Sequence, residues 1–323
     1  MAESLIDLAE TARLISKPSF AEFPHGAPIH VAFRFLELRA GTRPPAGAMA
    51  RRVAFGAART PAQAAQISGF EAIERYALQY CDGLPDTCES LLASDGGTHM
   101  VRRDALALGA PASNGRITSK GAAAGPTAEA AALRAVLECL EHGLDDRDAY
   151  THVLPPEVLP SDLTTWLDGN LRKLEVHVAE TTGIGLLFRA VCSDRDNGRP
   201  TYGTAFSGDV RTGVWQAASE AVVSWRNMVT LDFKGNIPRA MDDHEARLFH
   251  LYRGASTDRP IRPGATFDAD AWTAPSPTLA AALSAAAKVA GRTVAVFDMT
   301  AADIPLPVIK ALPIISGHRD HIA

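Results

Sequence analysis

The strongest constraint on the fold of this chain is a repeated pattern, in which a segment of small residues leads into an apolar, alanine-rich segment that carries glutamates. The first copy begins with Gly56–Thr60 and the second with Ser119–Thr127. Each is followed by two glutamates three residues apart, namely Glu71 and Glu74, and Glu138 and Glu141. Residues three apart share one face of an α-helix, so each pair directs two carboxylates to one point. Because an unpaired buried carboxylate is costly, the repeat predicts a shared site for a metal or a polyanion.

A third, looser copy runs from Gly203 to Gly208 and continues to a single glutamate, Glu220. Taken one at a time, the glutamates also fit a simpler interpretation, in which three amphipathic helices turn them towards water, since surface glutamates are common. Their recurrence after the same kind of small-residue segment favours the site.

Composition and charge exclude several classes of function. The chain has 323 residues, 46% of them hydrophobic, which allows one large domain or two ordinary ones with a sizeable core. Its net charge is −5 and its basic residues are scattered, so it lacks the electrostatic footprint of a nucleic-acid or anionic-membrane binder. No apolar run approaches about 18 residues and the N-terminus lacks a secretory signal, so we expect a cytoplasmic protein without a membrane span.

The four cysteines show neither Cys-x-x-Cys spacing nor histidines at zinc-finger spacing, so we expect reduced, partly buried thiols. Cys139 lies between Glu138 and Glu141. A nucleophilic role for Cys139 stays open as the less favoured alternative, since no neighbour along the sequence would lower its pKa.

Hydrophobic periodicity predicts an α+β fold in which helices pack on largely antiparallel sheet. Thr60 is a suitable N-cap and Pro61 a suitable first residue for a helix that runs to about Tyr80. The other predicted helices span residues 2–16, 127–142, where Gly143 would end the helix, 214–227 and 279–289. The predicted strands span residues 29–38, 174–179, 185–192, 291–297 and 307–312, with a hairpin turn at 194–200 and a surface loop at 254–276.

The chemistry of these residue types indicates a nucleotide site. Glycine and alanine before a helix let backbone amides approach a ligand, and a helix N-terminus favours negative charge. Glutamates bind Mg²⁺, a cation that prefers a few carboxylates together with phosphate oxygens and water. Arg75 directly follows Glu74, and its planar guanidinium suits a phosphate contact. A P-loop NTPase is not supported, because no Gly-x-x-x-x-Gly-Lys-Ser/Thr sequence occurs.

At these residues the chain resembles the YcaO family. The family's Glu-x-x-Glu-Arg motif is similar to Glu71–Arg75, and its Ser-Asn-Gly-x-Ala-x-Gly-x-Thr segment is similar to Ser119–Thr127. Its Ala-x-x-Glu-Ala core is similar to Ala217–Ala221, and its closing Thr-x-x-Asp-Ile/Val-x-x-Pro-Val to Thr300–Val308. The resemblance covers roughly residues 50 to 315, with the motifs in the family's order.

The resemblance implies ATP- and Mg²⁺-dependent modification of the backbone amides of a ribosomally synthesised precursor peptide. Cyclodehydration of Cys, Ser or Thr to an azoline, through phosphorylation of the amide oxygen, is the default outcome, and thioamide and amidine formation are alternatives. The implied metal ligands are Glu71, Glu74, Glu138, Glu141 and Glu220. The candidate nucleotide-binding residues are Ser68, Arg75, Ser119, Lys120, Gly121 and, from a polar helix outside the motifs, Arg247. No catalytic residue is assigned.

Several positions depart from the family pattern. Ile67 stands where the family has Ser, with Ser68 beside it, and Ala57 replaces a frequent Lys. Lys120 stands where Asn is usual, and His142 replaces the Arg of the second motif. These losses motivate two other interpretations: a degenerate, non-catalytic family member that scaffolds a modification complex, and an unrelated globular protein with acidic helices.

The resemblance also bears on organisation and partners. We assign residues 1–50 to an N-terminal helix and strand segment, 51–315 to a YcaO-like catalytic domain, and 316–323 to a polar tail. The chain is too short for an added leader-binding module, so we expect a separate leader-peptide-binding partner protein beside the precursor peptide. A homodimer is compatible with the sequence, and we expect no nucleic-acid or membrane partner.

Overall fold

The structure of the protein is a computed structural model. It describes residues 2–42, 52–81, 84–110, 118–145, 150–181, 183–235, 241, 243–255, 257, 267, 272, 274 and 276–314. The chain forms two compact units, one made of Met1–Ala21, His30–Asp146 and Pro277–Ala323, the other of Glu22–Ile29 and Arg147–Ser276. Each unit has its own sheet structure and its own helices.

The elements fall into alternating helical and extended segments. The described helices are α1 (Ala2–Thr11), α2 (Pro61–Ala77), α3 (Ala128–Asp145), α4 (Ser161–Gly169), α5 (Val210–Gly235), α6 (Asp243–Gly254) and α7 (Leu279–Ala290). The described strands are β1 (Ser19–Phe20), β2 (His30–Phe35), β3 (Val53–Ala58), β4 (Thr87–Ala93), β5 (Met100–Arg102), β6 (Ala122–Ala124), β7 (His152–Val153), β8 (Arg172–Thr181), β9 (Gly185–Asp194), β10 (Thr201–Ser207), β11 (Val294–Asp298) and β12 (Val308–Pro313). None of the described helices combines the length and the apolarity needed to cross a bilayer.

In the first unit, α2 packs against a three-stranded antiparallel sheet with the order β1-β2-β3. The helix starts at Pro61 because the side chain of Thr60 accepts a hydrogen bond from the backbone N–H of Gln63. Gly56 of β3 permits the close packing, since a Cβ at this position would lie 2.3 Å from the carbonyl oxygen of Ala64 in α2. The sheet and the helix therefore meet at backbone distance, which only glycine allows.

The first unit also contains a five-stranded sheet with the order β5-β4-β11-β12-β6. Helix α3 packs on β12 and β6, and α7 packs on α3. The apolar core of this unit includes the fully buried side chains of Ile73, Leu78, Phe297 and Leu306. Edge strand β6 is built from the alanines of the second small-residue segment, so the fold places this motif at the margin of the sheet.

The second unit is a four-stranded antiparallel sheet with the order β10-β9-β8-β7, on which α5 packs through β9 and β10. Phe188 of β9 is fully buried, and Gly213 of α5 leaves room for its ring. Asp209 caps α5, because its Oδ1 accepts a hydrogen bond from Thr212 N at 2.7 Å. The cap explains why the helix starts at Val210, earlier than predicted.

The predicted α+β class is confirmed, because helices pack on three sheets whose strand pairings are antiparallel in the described part of the chain. The helix end predicted at Gly143 is wrong, since α3 continues to Asp145. A Cβ at Gly143 would lie 3.3 Å from Val289 of α7, so this glycine serves helix packing and does not end the helix. Helix α5 also continues past the predicted end at residue 227, to Gly235.

Most of the predicted loop at 254–276 and the whole tail at 316–323 lie outside the described residues. Helix α1 and strands β1 and β2, which fall within the predicted N-terminal segment 1–50, belong to the same compact unit as β3 and α2. Strand β2 pairs with β3 from His30 opposite Ala58 to Phe35 opposite Val53. The division of the chain at residues 50 and 315 stays a prediction.

Candidate nucleotide and metal site

Glu74 anchors α2 to the edge of the five-stranded sheet. Its side chain is buried, and its Oε1 accepts a hydrogen bond from the backbone N–H of Ala124 at 2.8 Å. Ala124 lies in edge strand β6, which has a neighbouring strand on one side only. The carboxylate of Glu74 therefore accepts a hydrogen bond from an amide that no neighbouring strand would pair. Glu74 is therefore an interior residue with one satisfied oxygen, and the solvated-helix interpretation does not hold for it.

The carboxylates of α2 and α3 come close to one another. Burial raises the pKa of Glu74 well above its ordinary value, and the negative charges of Glu71 and Glu138 raise it further against the lowering effect of Arg134. The interaction energy of two charges falls with their separation, so an influence of this kind indicates that the carboxylates lie near one another. The tertiary structure therefore brings Glu71, Glu74 and Glu138, three of the five predicted metal ligands, to one region of the first unit.

In both helices, a basic side chain four residues further on contacts the first glutamate of the motif. Arg75 Nε donates a hydrogen bond to Glu71 Oε1 at 2.6 Å, and its Nη1 donates to Val53 O at 2.6 Å. His142 Nε2 lies 3.6 Å from Glu138 Oε1. His142 thus makes the same kind of contact in α3 that Arg75 makes in α2, which gives this departure from the family pattern a structural role.

Two more predicted residues lie within electrostatic range of His142. Burial is the largest influence on the pKa of His142 and lowers it, but the contact with Glu138 and the charge of Glu141 outweigh burial and leave the pKa above its ordinary value. The positive charge of Lys120 acts in the lowering direction. Glu141 therefore lies near His142 on the C-terminal half of α3, and Lys120 lies beside this half of the helix.

Ser119, Lys120 and Gly121 form the turn that leads into β6. Ala122 N donates a hydrogen bond to Ser119 O at 2.9 Å, which closes the turn. Gly121 has a φ of 75°, and a Cβ there would lie 2.6 Å from the carbonyl oxygen of Ala311 in β12. The position thus needs glycine both for its left-handed backbone and for its close approach to β12.

The glycines of the small-residue segments pack strand or turn on helix in all three copies. Gly56 and Gly203 lie against α2 and α5, where an added Cβ would meet backbone atoms at 2.3 Å and 2.2 Å. Gly125 lies against the first turn of α3, where a Cβ would be 2.7 Å from Ala131 N. The sequence predicts that such glycines let backbone amides approach a ligand, but the close approach at Gly56, Gly125 and Gly203 is between backbones of the same chain.

Ser68 belongs to a buried polar cluster. Its Oγ donates a hydrogen bond to Ala65 O at 2.9 Å and accepts one from Arg34 Nε at 3.3 Å. Arg34 of β2 also donates to Glu10 of α1 and, at 2.8 Å, to Ser16 O. The hydroxyl of Ser68 thus helps to join α1, β2 and α2, and its predicted contact with a nucleotide stays a prediction.

Glu220 and Arg247 belong to the second unit. Glu220 lies on α5, and its Oε2 accepts a hydrogen bond from Thr204 N of edge strand β10 at 2.7 Å. This contact matches, in the second unit, the contact that Glu74 makes with β6 in the first. Arg247 is exposed on α6. The metal-ligand role of Glu220 and the phosphate contact of Arg247 stay predictions.

Arg134 is a charged neighbour of the carboxylates that the sequence analysis did not single out. It lies on α3, and its Nη1 donates a hydrogen bond to Ala124 O at 3.0 Å. Its guanidinium also lies 5.6 Å from the ring centre of Phe70 in α2. Its position four residues before Glu138 on the same helix was the signal in the sequence.

Lys310 was also missed. It is buried in β12, and its Nζ donates hydrogen bonds to Thr118 O at 2.7 Å and to Lys120 O at 3.1 Å. Burial lowers the pKa of Lys310 to about 8, against the raising effect of Glu138 and Cys139, so the side chain remains largely an ammonium at neutral pH. A lysine inside the otherwise apolar strand 308–312 was the signal that could have identified it.

Cys139 does not gain support as a nucleophile. Burial raises the pKa of its thiol to about 11, and the lowering effect of Lys310 does not compensate. A thiol with such a pKa is almost entirely protonated at neutral pH, whereas reactive cysteines depend on the thiolate.

The first unit offers the kind of donor set that suits Mg²⁺ bound to a triphosphate. Glu71, Glu74 and Glu138 place negative charges near one another, and a divalent cation relieves the resulting repulsion. Among the described residues, no group of three or more His, Cys, Asp or Glu side chains is placed so that it would hold a metal ion. Mg²⁺ needs fewer protein ligands than that, because it takes one or two carboxylates and completes its shell with phosphate oxygens and water.

Several solved structures share the architecture of this chain. A heterocyclase in complex with substrate and cofactor aligns with a TM-score of 0.72 at 15% identity, over 95% of this chain and 51% of the heterocyclase, so the chain spans about half the length of that protein. YcaO from Methanopyrus kandleri, bound with AMPPCP and Mg²⁺, aligns with a TM-score of 0.64 at 16% identity, over 97% of this chain and 90% of that one. A chain of the E. coli microcin synthetase McbBCD complex aligns with a TM-score of 0.64 at 9% identity, over 92% of this chain and 87% of that one. At these identities the likeness shows a shared fold.

The sequence itself matches a family model. The model described as YcaO cyclodehydratase, ATP- and Mg²⁺-binding, matches residues 105–313, which is more than half of the chain. No curated protein matches the chain significantly. The resemblance seen in the motifs is thereby confirmed, and the chain belongs to the YcaO family of ATP- and Mg²⁺-binding cyclodehydratases.

Proposed function

We propose that the protein modifies backbone amides of a ribosomally synthesised precursor peptide in an ATP-dependent reaction, and that the product is an azoline formed from Cys, Ser or Thr. The observation that best supports this proposal is the cluster of Glu71, Glu74 and Glu138 in a chain of the YcaO family. Carboxylates gathered on two helices beside a small-residue turn suit a metal–triphosphate better than an uncharged substrate.

The proposed reaction solves a chemical problem, since an amide oxygen is a very poor leaving group. The side-chain thiol or hydroxyl of the residue after the amide attacks the carbonyl carbon and forms the ring bond. ATP with Mg²⁺ supplies the phosphoryl group that converts the former amide oxygen into phosphate. The carbon–oxygen bond then breaks, the amide nitrogen loses its proton, and a carbon–nitrogen double bond remains. The peptide has lost the elements of one water, and the other products are ADP and phosphate.

The residues of this chain divide into two sets in this proposal. Carboxylates hold Mg²⁺, one or two of them at each ion, and we assign this role to Glu71, Glu74, Glu138, Glu141 and Glu220. Cations, hydroxyls and backbone amides hold the phosphates and keep their charge away from bulk water, and we assign this role to Arg75, Ser119, Lys120 and Gly121, with Ser68 and Arg247 as further candidates. Such charged groups, fixed before the substrate arrives, stabilise the charge that develops during phosphoryl transfer.

Two alternatives share the fold and differ in outcome. Thioamide or amidine formation would use the same activation of the amide oxygen, with sulfide or an amine as the nucleophile. A non-catalytic scaffold is favoured by a specific observation, the engagement of Ser68 by Arg34, which occupies one hydroxyl that the resemblance assigns to the nucleotide.

Partners and location follow from the proposed substrate. One solved neighbour is the microcin synthetase complex with pro-MccB17 bound, in which a related fold works beside other chains. We infer that a separate leader-peptide-binding protein presents the precursor to this chain, and that the reaction takes place in the cytoplasm. A homodimer is compatible with this arrangement.

The first experiment measures nucleotide binding. We expect wild-type protein to bind AMPPCP in the presence of Mg²⁺ by calorimetry, and Glu138→Gln to lower the affinity about tenfold or more, because a metal-bound carboxylate is lost. Glu89→Gln is the matched control, since Glu89 is an exposed glutamate of the same unit on β4. Equal affinities for wild type and Glu138→Gln would contradict the proposed metal site.

The second experiment tests the chemistry. Purified protein is incubated with Mg²⁺–ATP, a candidate precursor peptide that contains Cys, Ser and Thr, and a candidate leader-peptide-binding protein. The mass of the peptide is then measured by mass spectrometry. Azoline formation appears as the loss of one water, whereas a thioamide appears as exchange of oxygen for sulfur. Nucleotide binding without ATP turnover under any combination would support the scaffold, and absence of both would overturn the proposal.

A further inference from the structure

The buried lysine of β12 has no role in the function proposed so far. Lys310 is 2% exposed, in a strand whose other residues from Val308 to Leu312 are apolar. Burying an ammonium is costly unless it is hydrogen-bonded and compensated by opposite charge. A methionine or leucine would fill the same volume without that cost, so the charge at this position calls for an explanation.

The partners of Lys310 are backbone carbonyls of the turn before β6. Its Nζ donates to Thr118 O at 2.7 Å and to Lys120 O at 3.1 Å, so one ammonium holds two alternate peptide groups of the turn. Gly121 ties the same turn to β12 from the other side, since Ala311 N donates to Gly121 O at 2.7 Å. The turn is therefore attached to β12 by three hydrogen bonds in succession.

The direction of a carbonyl determines the direction of the next amide. In a planar trans peptide, the C=O of one residue and the N–H of the next point in opposite directions. The carbonyls of Thr118 and Lys120 point at the ammonium, so the N–H groups of Ser119 and Gly121 point away from it. No acceptor among the described residues takes a hydrogen bond from either N–H. The amide between them, that of Lys120, donates to Thr118 Oγ1 at 3.3 Å. Backbone amides in a turn that face one way can together bind an anion.

The electrostatics of the surroundings fit the same role. Glu138 lies close enough to Lys310 to act on its charge, so the ammonium is compensated by one of the proposed metal ligands. The turn itself carries Lys120, which is exposed. The turn lies beside the C-terminal half of α3, since a Cβ added to Gly121 would be 3.6 Å from the Cβ of Cys139. A phosphate at the two amides would lie on the side of the turn away from Lys310, which acts on it only through the orientation of the peptide groups.

We infer that Lys310 is a positioning residue, which orients the amides of Ser119 and Gly121 towards the phosphates of the nucleotide. This inference rests on the proposed function and extends it to a residue outside the small-residue and glutamate motifs. It assigns the turn at 118–121 to the β- and γ-phosphates, because these carry the metal and Glu138, one of the proposed metal ligands, acts on Lys310.

The test compares three variants by their affinity for Mg²⁺–AMPPCP and for AMP, which lacks the outer phosphates. We expect Lys310→Met to lower the affinity for Mg²⁺–AMPPCP about tenfold, because the turn is no longer held in its binding conformation, and to leave the affinity for AMP unchanged. Lys310→Arg retains the charge and the donors, and we expect it to restore most of the loss. Lys288→Met is the matched control, since Lys288 is exposed on α7 of the same unit.

A second measurement does not depend on the folding of any variant. In wild-type protein, hydrogen exchange of the Ser119 and Gly121 amides should slow when Mg²⁺–AMPPCP binds, and stay unchanged with AMP. Absence of this protection, or a folded Lys310→Met variant with wild-type affinity, would overturn the inference and leave the proposed function standing. An equal loss of affinity for AMP and AMPPCP in Lys310→Met, without recovery in Lys310→Arg, would also overturn it, since a merely structural role predicts that result. Failure of wild-type protein to bind Mg²⁺–AMPPCP would overturn both.

Discussion

At the scale of single residues, Glu74 shows a conflict between folding stability and the proposed binding of a metal. One oxygen of its carboxylate satisfies the amide of Ala124, while burial and the charges of Glu71 and Glu138 disfavour its ionised form. Without a cation, such a carboxylate lowers the stability of the folded chain, because a buried charge repelled by its neighbours is unfavourable. With a divalent cation, the same arrangement becomes attractive. We therefore expect Glu74 to lower the folding stability of the protein without a metal and to favour the binding of a divalent cation.

The prediction at this residue separates the two demands. Glu74→Gln keeps an acceptor for the Ala124 amide and removes the charge, so the variant should be at least as stable as wild type at neutral pH in urea unfolding. Glu74→Ala leaves that amide without a partner and should lose about 1–3 kcal/mol in the free energy of unfolding. An equal loss in both variants would show that the charge of Glu74 does not limit stability.

The same residue predicts a pH dependence. Since the pKa of Glu74 is raised by folding, the folded chain holds this proton more tightly than the unfolded chain. The stability contributed by the group is fully present below its ordinary pKa of 4.5 and is lost as the pH rises through the raised value. Wild type should therefore lose stability relative to Glu74→Gln as the pH rises from about 4.5 towards neutral. A difference that does not change with pH would contradict this assignment.

At the scale of elements, the glycines of the small-residue segments allow a strand or turn to pack closely on a helix. We call each such close contact a joint. Gly56 lets β3 meet α2, and Gly203 lets β10 meet α5, each within a few ångströms of helix backbone atoms. In the third copy this packing places a strand amide beside the glutamate of the following helix, since Thr204 N donates to Glu220. Glu74 of the first copy instead accepts from Ala124, in the segment of the second copy. The repeat in the sequence therefore encodes a repeated piece of packing, and the carboxylates are positioned by that packing.

Filling one joint should disturb the helix it supports. In Gly203→Ala the new Cβ would lie 2.2 Å from Ala217 O and 2.5 Å from Ala221 N, and neither backbone atom can move without shifting α5. We expect a loss of about 1–3 kcal/mol in the free energy of unfolding, as for other overpacked sites. Gly169→Ala is the control in the same unit, because nothing lies within 4 Å of its added Cβ. Similar stabilities for the two variants would contradict the packing role of Gly203.

At the scale of the whole molecule, the same kind of contact occurs in both compact units: a glutamate on a helix accepts a hydrogen bond from an amide of an edge strand. In the first unit Glu74 takes the amide of edge strand β6, and in the second unit Glu220 takes the amide of edge strand β10. A carboxylate on an edge strand stabilises the sheet and also covers its open side. The contact with Thr204 N thus gives the single glutamate of the third copy a structural role.

The role of Glu220 in nucleotide binding is tested by its own variant. Glu220→Gln keeps an acceptor for Thr204 N, so the melting temperature should change little. If Glu220 is one of the metal ligands, the affinity of the Glu220→Gln variant for Mg²⁺–AMPPCP should fall about tenfold or more, because a charge-assisted contact is lost. Glu157→Gln, at an exposed glutamate of the same unit, is the control. Unchanged affinity in Glu220→Gln would restrict the metal site to glutamates of the first unit.

Local signals in the sequence were sufficient for several features of this protein. The start of α2 follows from Thr60 and Pro61, whose preferences act within one helical turn. The α+β class follows from hydrophobic periodicity, and the family follows from short motifs in a defined order. The end of α3 did not follow, because glycine ends a helix only where packing does not hold it, and Gly143 is held against α7.

Only the tertiary structure determined which groups the charged side chains contact. Ala124 lies 50 residues from Glu74, and Lys310 lies 192 residues from Thr118, so no periodicity connects either pair. A helical pattern says which residues share a face, but not which strand or turn that face will contact. The sequence by itself determined the elements and the inventory of carboxylates. Only the packing of α2 and α3 around β6 and β12 determined which of those carboxylates act together and which cation holds the turn beside them.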